Sequence, residues 1–308
     1  MNNFTHKVYL LTEDNDKYRQ LLEQASLPQL ALTEQPCEAT ILLASPPKAA
    51  KRIQDFPHVE WIQSIYAGVD ALIPALNQFD GQLTNVKGIF GQQIAEYVIG
   101  YSIAHYRHFN HYLNQQAKSE WSPLPYSSLS GKKVVILGTG SIGAELAQAI
   151  KSLAMQPIGV NRSGIPAKHS PFSATYHIQE LATALTQADI VVNTLPNTAH
   201  TQQILNQSSL AACQQALLFN VGRGSAIDEL GLLTAIESGA IEHAFLDVFE
   251  QEPLPQSHPF WSHPKITVTP HIAALSFPEQ VVDIFADNYQ RWCDGFGLVN
   301  QIDLDKGY

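Results

Sequence analysis

Cysteine is scarce in this 308-residue chain. Cys37, Cys213 and Cys293 stand far apart, with no C-x-x-C pair among them. An odd, unclustered set argues against a disulfide framework and a cysteine-built metal site, and fits inert thiols in a reducing compartment. Basic residues are few as well, 18 Lys and Arg against 28 Asp and Glu, for a formal charge of −10. A chain that binds duplex nucleic acid carries a basic face, so this balance points away from one, whereas a small anionic ligand feels only local charge. Long apolar runs are missing too. The opening residues, MNNFTHKVYLLTEDN, hold an apolar run too short for a secretory signal. No stretch approaches the ~20 apolar residues of a membrane span. No internal repeat or low-complexity segment stands out. The expectation is a soluble, cytoplasmic protein.

What the chain does have is apolar material in quantity. Hydrophobic side chains make up 45% of it, and the length suggests two domains. In the first hundred residues KVYLL (7–11), TILLAS (40–45) and EWIQSI (60–65) read as strands, with DNDKYRQLLEQA and PPKAAKRIQDF as helices between them. That alternation predicts a parallel sheet with helices on its faces. YAGVDAL (66–72) follows the third strand as a loop. Residues 91–121 lack proline and predict one long helix, with Ile94, Val98 and Tyr101 on a face. After a Pro- and Ser-rich connector (122–133) the alternation resumes through KVVILG, PIGVN, DIVVNTL, ALLFNV, HAFLDVF and ITVTPH. Near the C-terminus Val281, Phe285, Tyr289 and Trp292 form an i, i+4, i+8, i+11 stripe on an amphipathic helix, expected to pack against the first domain.

Between the strand KKVVIL and the helix IGAELAQAIKSLA lies Gly138-Thr-Gly140-Ser-Ile-Gly143, a G-x-G-x-x-G pattern. In that context the first glycine makes the tight turn. The second admits a pyrophosphate close to the backbone, and the third lets helix and strand pack closely. The helix start, from Ser141 and Ile142, offers unpaired N–H groups and the positive end of the dipole. One face of this helix is expected to carry Ile142, Leu146, Ala149 and Leu153. An NAD site usually places an acidic residue about 20 residues on, to hold the ribose 2′-OH. Here IGVNRSG supplies Asn161, Arg162 and Ser163 instead. A carboxylate would repel a 2′-phosphate and an arginine would attract one, so NADP(H) is the expected cofactor, with NAD(H) as the alternative.

Arg223 in NVGRGSAIDE, Glu252 in LDVFEQEPLP and His271 in TPHIAA each follow a predicted strand, where loops of a doubly wound sheet converge. Together they suit hydride transfer to the carbonyl of a 2-oxo acid. A histidine protonates the developing alkoxide. A carboxylate beside it favours the imidazolium, and an arginine binds the substrate carboxylate and polarises the carbonyl. On the residues alone, Glu250 competes with Glu252 for the carboxylate role.

LGTGSIG, NVGRGSAIDE, LDVFEQEPLP, HPFW and TPHIAA, with YAGVDAL and IAEYVIG before them, resemble the D-isomer-specific 2-hydroxyacid dehydrogenase family in order and spacing. The resemblance implies an α/β fold of two doubly wound parallel-sheet domains with the active site in the cleft between them. A flavodoxin-like substrate domain would comprise 1–98 and 276–308, and a Rossmann nucleotide-binding domain 99–275. It selects Glu252 over Glu250 and implies that Asp247 contacts the nicotinamide carboxamide. It adds Leu195, Pro196 and Val221 to the cofactor set, and gives the substrate carboxylate to the backbone around Ala67 and Gly68, beside Arg223 and His271. NRS in place of an acidic residue looks like the family's NADPH-preferring glyoxylate and hydroxypyruvate reductases. Since cells keep NADPH well reduced, that favours reduction.

The expected function is therefore NADPH-dependent reduction of a small 2-oxo acid to the D-2-hydroxy acid. An NAD-dependent D-2-hydroxyacid dehydrogenase of D-lactate or D-glycerate type is the alternative within enzymes. A nucleotide-sensing binding protein without turnover is the alternative outside them, opposed by the intact Arg–Glu–His set. His105, His108 and His111 recur every third residue on the predicted long helix, but no carboxylate or cysteine completes a ligand set, so no metal is expected. A polar–aromatic packing face is the expectation there, near a homodimer interface by analogy with the family. Tyr66 and Trp121 are candidates for the substrate pocket or for core and rim positions, and Glu96 matches the family without a chemical role.

Overall fold

The computed structural model describes residues 5–304. The chain divides into two compact units, Met1–Ile89 with Ser276–Tyr308, and Phe90–Leu275. In the first, strands β1 (His6–Leu11), β2 (Leu30–Leu32), β3 (Ile41–Ala44), β4 (Trp61–Ser64) and β5 (Gln82–Thr84) alternate with helices α1 (Asn15–Ala25) and α2 (Pro46–Arg52). The strands are all parallel, in the order β2-β1-β3-β4-β5, the flavodoxin-like winding. The central strands β3 and β4 are buried along their whole length, as parallel strands covered on both faces must be. Asp14 caps α1 by accepting from the Lys17 N–H at 3.1 Å, and Pro46 opens α2 where its missing N–H costs nothing.

The second unit opens with α3 (Gly91–Tyr106) and α4 (Phe109–Ala117). It continues through β6 (Lys133–Leu137), α5 (Ser141–Lys151), β7 (Gln156–Asn161), β8 (Ala174–His177), α6 (Leu181–Leu185), β9 (Ile190–Asn193) and α7 (Gln207–Leu210). It closes with β10 (Ala216–Asn220), α8 (Glu229–Glu237), β11 (Ile241–Leu246) and β12 (Ile266–Val268). The parallel sheet runs β12-β11-β10-β9-β6-β7-β8, so the winding reverses between β6 and β9. Alternate residues of β6 serve opposite faces. Val134 and Ile136 join Ile94 and Val98 of α3 and Leu146 and Ile150 of α5. Val135 and Leu137 join Leu218, Leu232 and Ile236 on the other side.

Several expectations change. The division expected at 98/99 would cut α3, whose Ile94, Ala95 and Val98 are buried with α5 and β6, so the whole helix belongs to the second unit. The long helix expected over 91–121 breaks after Tyr106, because His108 takes a left-handed backbone at φ +58°, and a separate α4 follows. His105, His108 and His111 therefore do not share one helix face. The buried side of α5 is Gly143, Leu146, Ala147 and Ile150, while Leu153 lies beyond the helix and is exposed. Strands β2, β5 and β8 had no expectation. All three are edge strands of three or four residues, too short to display a period.

The last helix, α9 (Pro278–Cys293), packs within the first unit. Val281, Phe285 and Tyr289 of the expected stripe are fully buried, and Trp292 is half-buried. Phe285 stacks on Trp61 of β4 at 5.1 Å, with Trp292 beside the same ring at 5.7 Å. The Tyr289 hydroxyl donates to the Pro28 carbonyl at 2.8 Å, and Lys17 of α1 pairs with Glu279 at 2.7 Å. Each fully buried aromatic here contributes about 1.5–3 kcal/mol, so the helix is integral to the unit.

Candidate active site

The glycine turn after β6 does three different things. Gly138 sits at φ +101°, and a Cβ there would meet the Thr194 hydroxyl at 2.6 Å. A Cβ on Gly143 would lie 2.0 Å from the Gly138 carbonyl, so only glycine lets α5 start this close to the strand. A Cβ on Gly140 would meet nothing within 4 Å. That open side, at the N-terminus of α5 with Ser141 and Ile142 in its first turn, is a cradle that fits a dinucleotide pyrophosphate.

Strands β7, β9 and β10 each end in asparagine, and each side chain organises the next loop. Asn161 Oδ1 accepts from the N–H groups of Ser163 at 3.0 Å and Gly164 at 2.7 Å. Its Nδ2 donates to Thr139 Oγ1 at 3.0 Å, joining this turn to the glycine loop. Arg162 and Ser163 are exposed on the turn, and no carboxylate lies in it. Asn193 Nδ2 donates to Asn220 Oδ1 at 2.8 Å, while Asn193 Oδ1 accepts from the Leu195 N–H at 3.1 Å. Asn220 Nδ2 donates to the Arg223 carbonyl at 3.0 Å. These bonds fix Leu195, Pro196 and Val221 at the carboxyl ends of β9 and β10, on either side of Gly222, where a Cβ would lie 2.7 Å from the Leu195 carbonyl. Neither Asn193 nor Asn220 was among the expected site residues.

Arg223, Glu252 and His271 come from three separate loops of this unit. A Cβ on Gly224 would fall 1.9 Å from the Phe249 carbonyl carbon, so the arginine loop is pressed onto the backbone leading to Glu252. Arg223 Nη1 donates to the Gly222 carbonyl at 2.7 Å. Glu252 Oε1 accepts from the Phe249 N–H at 2.9 Å, and Glu252 Oε2 lies 2.7 Å from His271 Nδ1. Burial pushes the Glu252 carboxyl up, but its bonds to His271 and the Phe249 N–H, with the nearby charges of His271 and Arg223, hold it below the ordinary carboxylate value. The bond to Glu252 raises His271 above the ordinary imidazole value, against burial and the Arg223 charge. An ionised Glu252 only accepts, so Nδ1 carries the proton and Nε2 is the edge left to act.

His271 holds a left-handed backbone at φ +55°, a conformation that costs about 1–2 kcal/mol for a residue with a Cβ. Asp247 pays for it. This carboxylate is 2% exposed and accepts three bonds from the histidine loop. Oδ1 takes the Thr269 hydroxyl at 2.6 Å and the Ile272 N–H at 2.8 Å, and Oδ2 takes the Ala273 N–H at 2.9 Å. The Tyr97 hydroxyl in turn donates to Thr269 Oγ1 at 2.7 Å. The His271 N–H reaches the Asp247 carbonyl at 2.9 Å. Tyr97 and Thr269 were not expected here.

In the first unit, Ala67 and Gly68 follow β4 at its carboxyl end. Ser64 Oγ donates to the Tyr66 carbonyl and accepts from its N–H, both at 2.9 Å, and Asn85 Nδ2 donates to the Ala67 carbonyl at 2.5 Å. Of the remaining candidates, His105 pairs with Glu242 at 3.1 Å, His108 with the Pro125 carbonyl at 2.8 Å, and His111 with Gln115 at 2.9 Å. Among the described residues no cluster of His, Cys, Asp and Glu has metal-binding geometry, and no helix is long and apolar enough to cross a membrane. Glu96 accepts from Gln92 at 2.9 Å on the surface of α3, and Trp121 is 97% exposed.

Sheet order and glycine turn together define a dinucleotide-binding α/β protein. Residues 99–273 match the family model described as D-isomer specific 2-hydroxyacid dehydrogenase, NAD binding domain. A family protein of that description from Aeromonas salmonicida subsp. salmonicida A449 superposes with a TM-score of 0.92 at 42% identity, over 98% of this chain and 100% of that one. A D-isomer specific 2-hydroxyacid dehydrogenase from Xanthobacter autotrophicus Py2, in complex with NADPH and MES, is 27% identical, with a TM-score of 0.88 over 99% and 100%. An NADPH-dependent glyoxylate/hydroxypyruvate reductase from Sinorhizobium meliloti, in complex with NADP and sulfate, shares the fold at 24% identity, with a TM-score of 0.88 over 99% and 100%. The chain belongs to the D-isomer specific 2-hydroxyacid dehydrogenase family and is an NAD(P)-dependent oxidoreductase.

Proposed function

We propose that the protein uses NADPH to reduce a small 2-oxo acid, of the glyoxylate or hydroxypyruvate kind, to the D-2-hydroxy acid. The observation that carries this reading is the 2.7 Å Glu252–His271 pair, built on a loop tethered by Asp247. The bound dihydronicotinamide supplies the hydride. Arg223 binds the substrate carboxylate and polarises the carbonyl oxygen. As charge develops on that oxygen, His271 donates its Nε2 proton, and Glu252 keeps the imidazole oriented and favours its charged form. The bond to Glu252 raises the His271 pKa and so favours the protonated donor, which suits reduction.

The Asn161 turn supports NADPH over NADH. It presents Arg162 and Ser163 with no carboxylate to repel a 2′-phosphate, and the Xanthobacter relative is described with NADPH bound. Gly138, Gly140 and Gly143, with the N–H groups of Ser141 and Ile142, take the pyrophosphate, and Leu195, Pro196 and Val221 line the loops beyond it. A homodimer completes the proposal. Residues 109–126 leave the apolar side chains of Leu113, Trp121 and Tyr126 exposed, and a second copy would cover them.

The test is absorbance at 340 nm with glyoxylate, hydroxypyruvate and pyruvate, each with NADPH and NADH. NADPH is expected to give the higher kcat/KM. Arg162→Ala, which removes one charge-assisted contact worth about 1.5–3 kcal/mol, should weaken NADPH use roughly 10- to 150-fold and leave NADH use nearly unchanged. An equal loss with both cofactors refutes the assignment of Arg162.

A further inference from the structure

Residues 269–275 carry His271 from the end of β12 to the end of the second unit. Besides Asp247, a second element holds this loop, and that element is α3. Gln93 and Tyr97 stand at i and i+4 of the helix, so they share a face. Tyr97 takes the start of the loop. Its hydroxyl lies 2.7 Å from Thr269 Oγ1, which itself donates to Asp247 Oδ1 at 2.6 Å. A carboxylate only accepts, so the direction of the chain is fixed, from Tyr97 to Thr269 to Asp247. Gln93 takes the end of the loop. Its Nε2 donates to the Leu275 carbonyl and its Oε1 accepts from the Leu275 N–H, both at 2.9 Å. One amide thus satisfies both backbone groups of one loop residue, as a neighbouring strand would. Between the two grips, Ala273 is buried in the same cluster as Ile94, Ala95 and Val98 of α3.

Neither gripping side chain is charged. An amide does not titrate, and burial holds the Tyr97 phenol well above its ordinary value. The Tyr97 ring packs edge-on against Tyr101 at 4.8 Å and Phe219 at 6.4 Å, so its hydroxyl is aimed by the core. His271 is raised by its bond to Glu252 and by the charges of Glu252 and Asp247, and lowered by burial and the Arg223 charge. Any effect of α3 on the imidazole therefore passes through its position.

We infer that Tyr97 and Gln93 are positioning residues for the reaction: by gripping the two ends of the histidine loop they hold the His271 imidazole at its 2.7 Å distance from Glu252. The inference rests on the proposed function, since it takes His271 as the proton donor.

The test is kcat and KM against pH, with NADPH and the best of glyoxylate, hydroxypyruvate and pyruvate, in the wild type, Tyr97→Phe, Gln93→Met and Gln92→Met, with the melting temperature of each. Gln92 bonds Glu96 on the exposed side of the same helix and serves as the control. Losing a hydrogen bond between neutral groups shifts an equilibrium by about 2- to 13-fold. Tyr97→Phe keeps the ring and loses its bond to Thr269, and Gln93→Met loses both bonds to Leu275. Each should lower kcat at least about twofold, with KM for the acid nearly unchanged. Each should also move the high-pH fall of reductive kcat/KM to lower pH, because an imidazole that drifts from Glu252 loses the bond that raises it. In a Thr269→Val background Tyr97→Phe should cost nothing further, since it acts through Thr269. Gln92→Met should match the wild type. If one of the two loop variants does not fold, the other decides. An active wild type with kcat and pH profile unmoved in the folded variants, a change confined to KM, or an equal loss in Gln92→Met overturns the inference alone. A wild type that reduces none of the three acids overturns the proposed function and the inference with it.

Discussion

Asp247→Asn is the substitution that most directly probes how the histidine loop is held. The change keeps the shape of the side chain and replaces one acceptor oxygen by a donor. With the amide oxygen in the place of Oδ1, the bonds from Thr269 and Ile272 survive, and the new NH2 faces the Ala273 N–H now bonded at 2.9 Å. A hydrogen bond to a charged group, about 1.5–3 kcal/mol, is lost, and buried donors are left facing each other at a further cost of about 1–3 kcal/mol. The flipped amide sacrifices two bonds and does worse. Relaxation of His271 out of its left-handed backbone returns about 1–2 kcal/mol. The net loss is about 0.5–5 kcal/mol, or roughly 2- to 4,000-fold faster hydrogen exchange at the Ile272 and Ala273 amides. Exchange is the better assay than a single unfolding midpoint, because a chain of two compact units need not unfold in one transition. Unchanged exchange at both amides, with only the cofactor KM raised, would refute the tether and make Asp247 the carboxamide ligand that the family resemblance implied.

Gly140→Ala adds a methyl where the protein offers no obstacle within 4 Å, so the melting temperature should hold while dinucleotide affinity falls at least tenfold; Gly143→Ala, 2.0 Å from the Gly138 carbonyl, should lower the melting temperature as well. Thermal unfolding and a fluorescence titration with NADPH read both, and the reverse ranking counts against the cradle. Because Glu252 is the main cause that raises His271, reductive kcat/KM should fall as pH climbs through that raised value, and Glu252→Gln should move the fall to lower pH. A pH–rate profile that keeps its position in Glu252→Gln would falsify the pairing as a functional one. Light scattering should give about twice 34.0 kDa for the wild type and a shift toward one copy for Leu113→Glu with Trp121→Ser, whereas a variant that stays at the wild-type mass argues against residues 109–126 as the dimer contact.

The parts of this molecule legible in the sequence are those with a local cause. Six of the seven strands in the second sheet announce themselves as β-branched and apolar runs, and G-x-G-x-x-G is readable because each glycine answers a separate steric demand. Strands β2, β5 and β8 escape because three or four residues carry no period and their partners come from elsewhere in the chain. The break between α3 and α4 escapes for a different reason. No proline or glycine marks it, and His108 turns left-handed in a segment where its ring reaches the Pro125 carbonyl, 17 residues on.

The site divides along the same line. Arg223, Glu252 and His271 are visible as chemistry, but what positions them is not, since a buried asparagine or threonine looks the same on paper as an exposed one. One regularity was nonetheless present. PIGVN, DIVVN and ALLFN are three apolar runs that each close on asparagine, and asparagine is depleted within strands but suited to hydrogen-bonding the turn that follows. At the carboxyl edge of a parallel sheet, where the loops carry the function, such a residue takes the first backbone N–H groups of the loop or binds its neighbour across the strands. Asn161 does the former, Asn193 does both, and Asn220 binds Asn193 across the strands while donating to the Arg223 carbonyl, so the loops of Arg162, Leu195 and Arg223 rest on side chains rooted in the sheet itself. A strand-closing asparagine in this fold is therefore a physical reason to look at the residues just after it, before any motif is consulted.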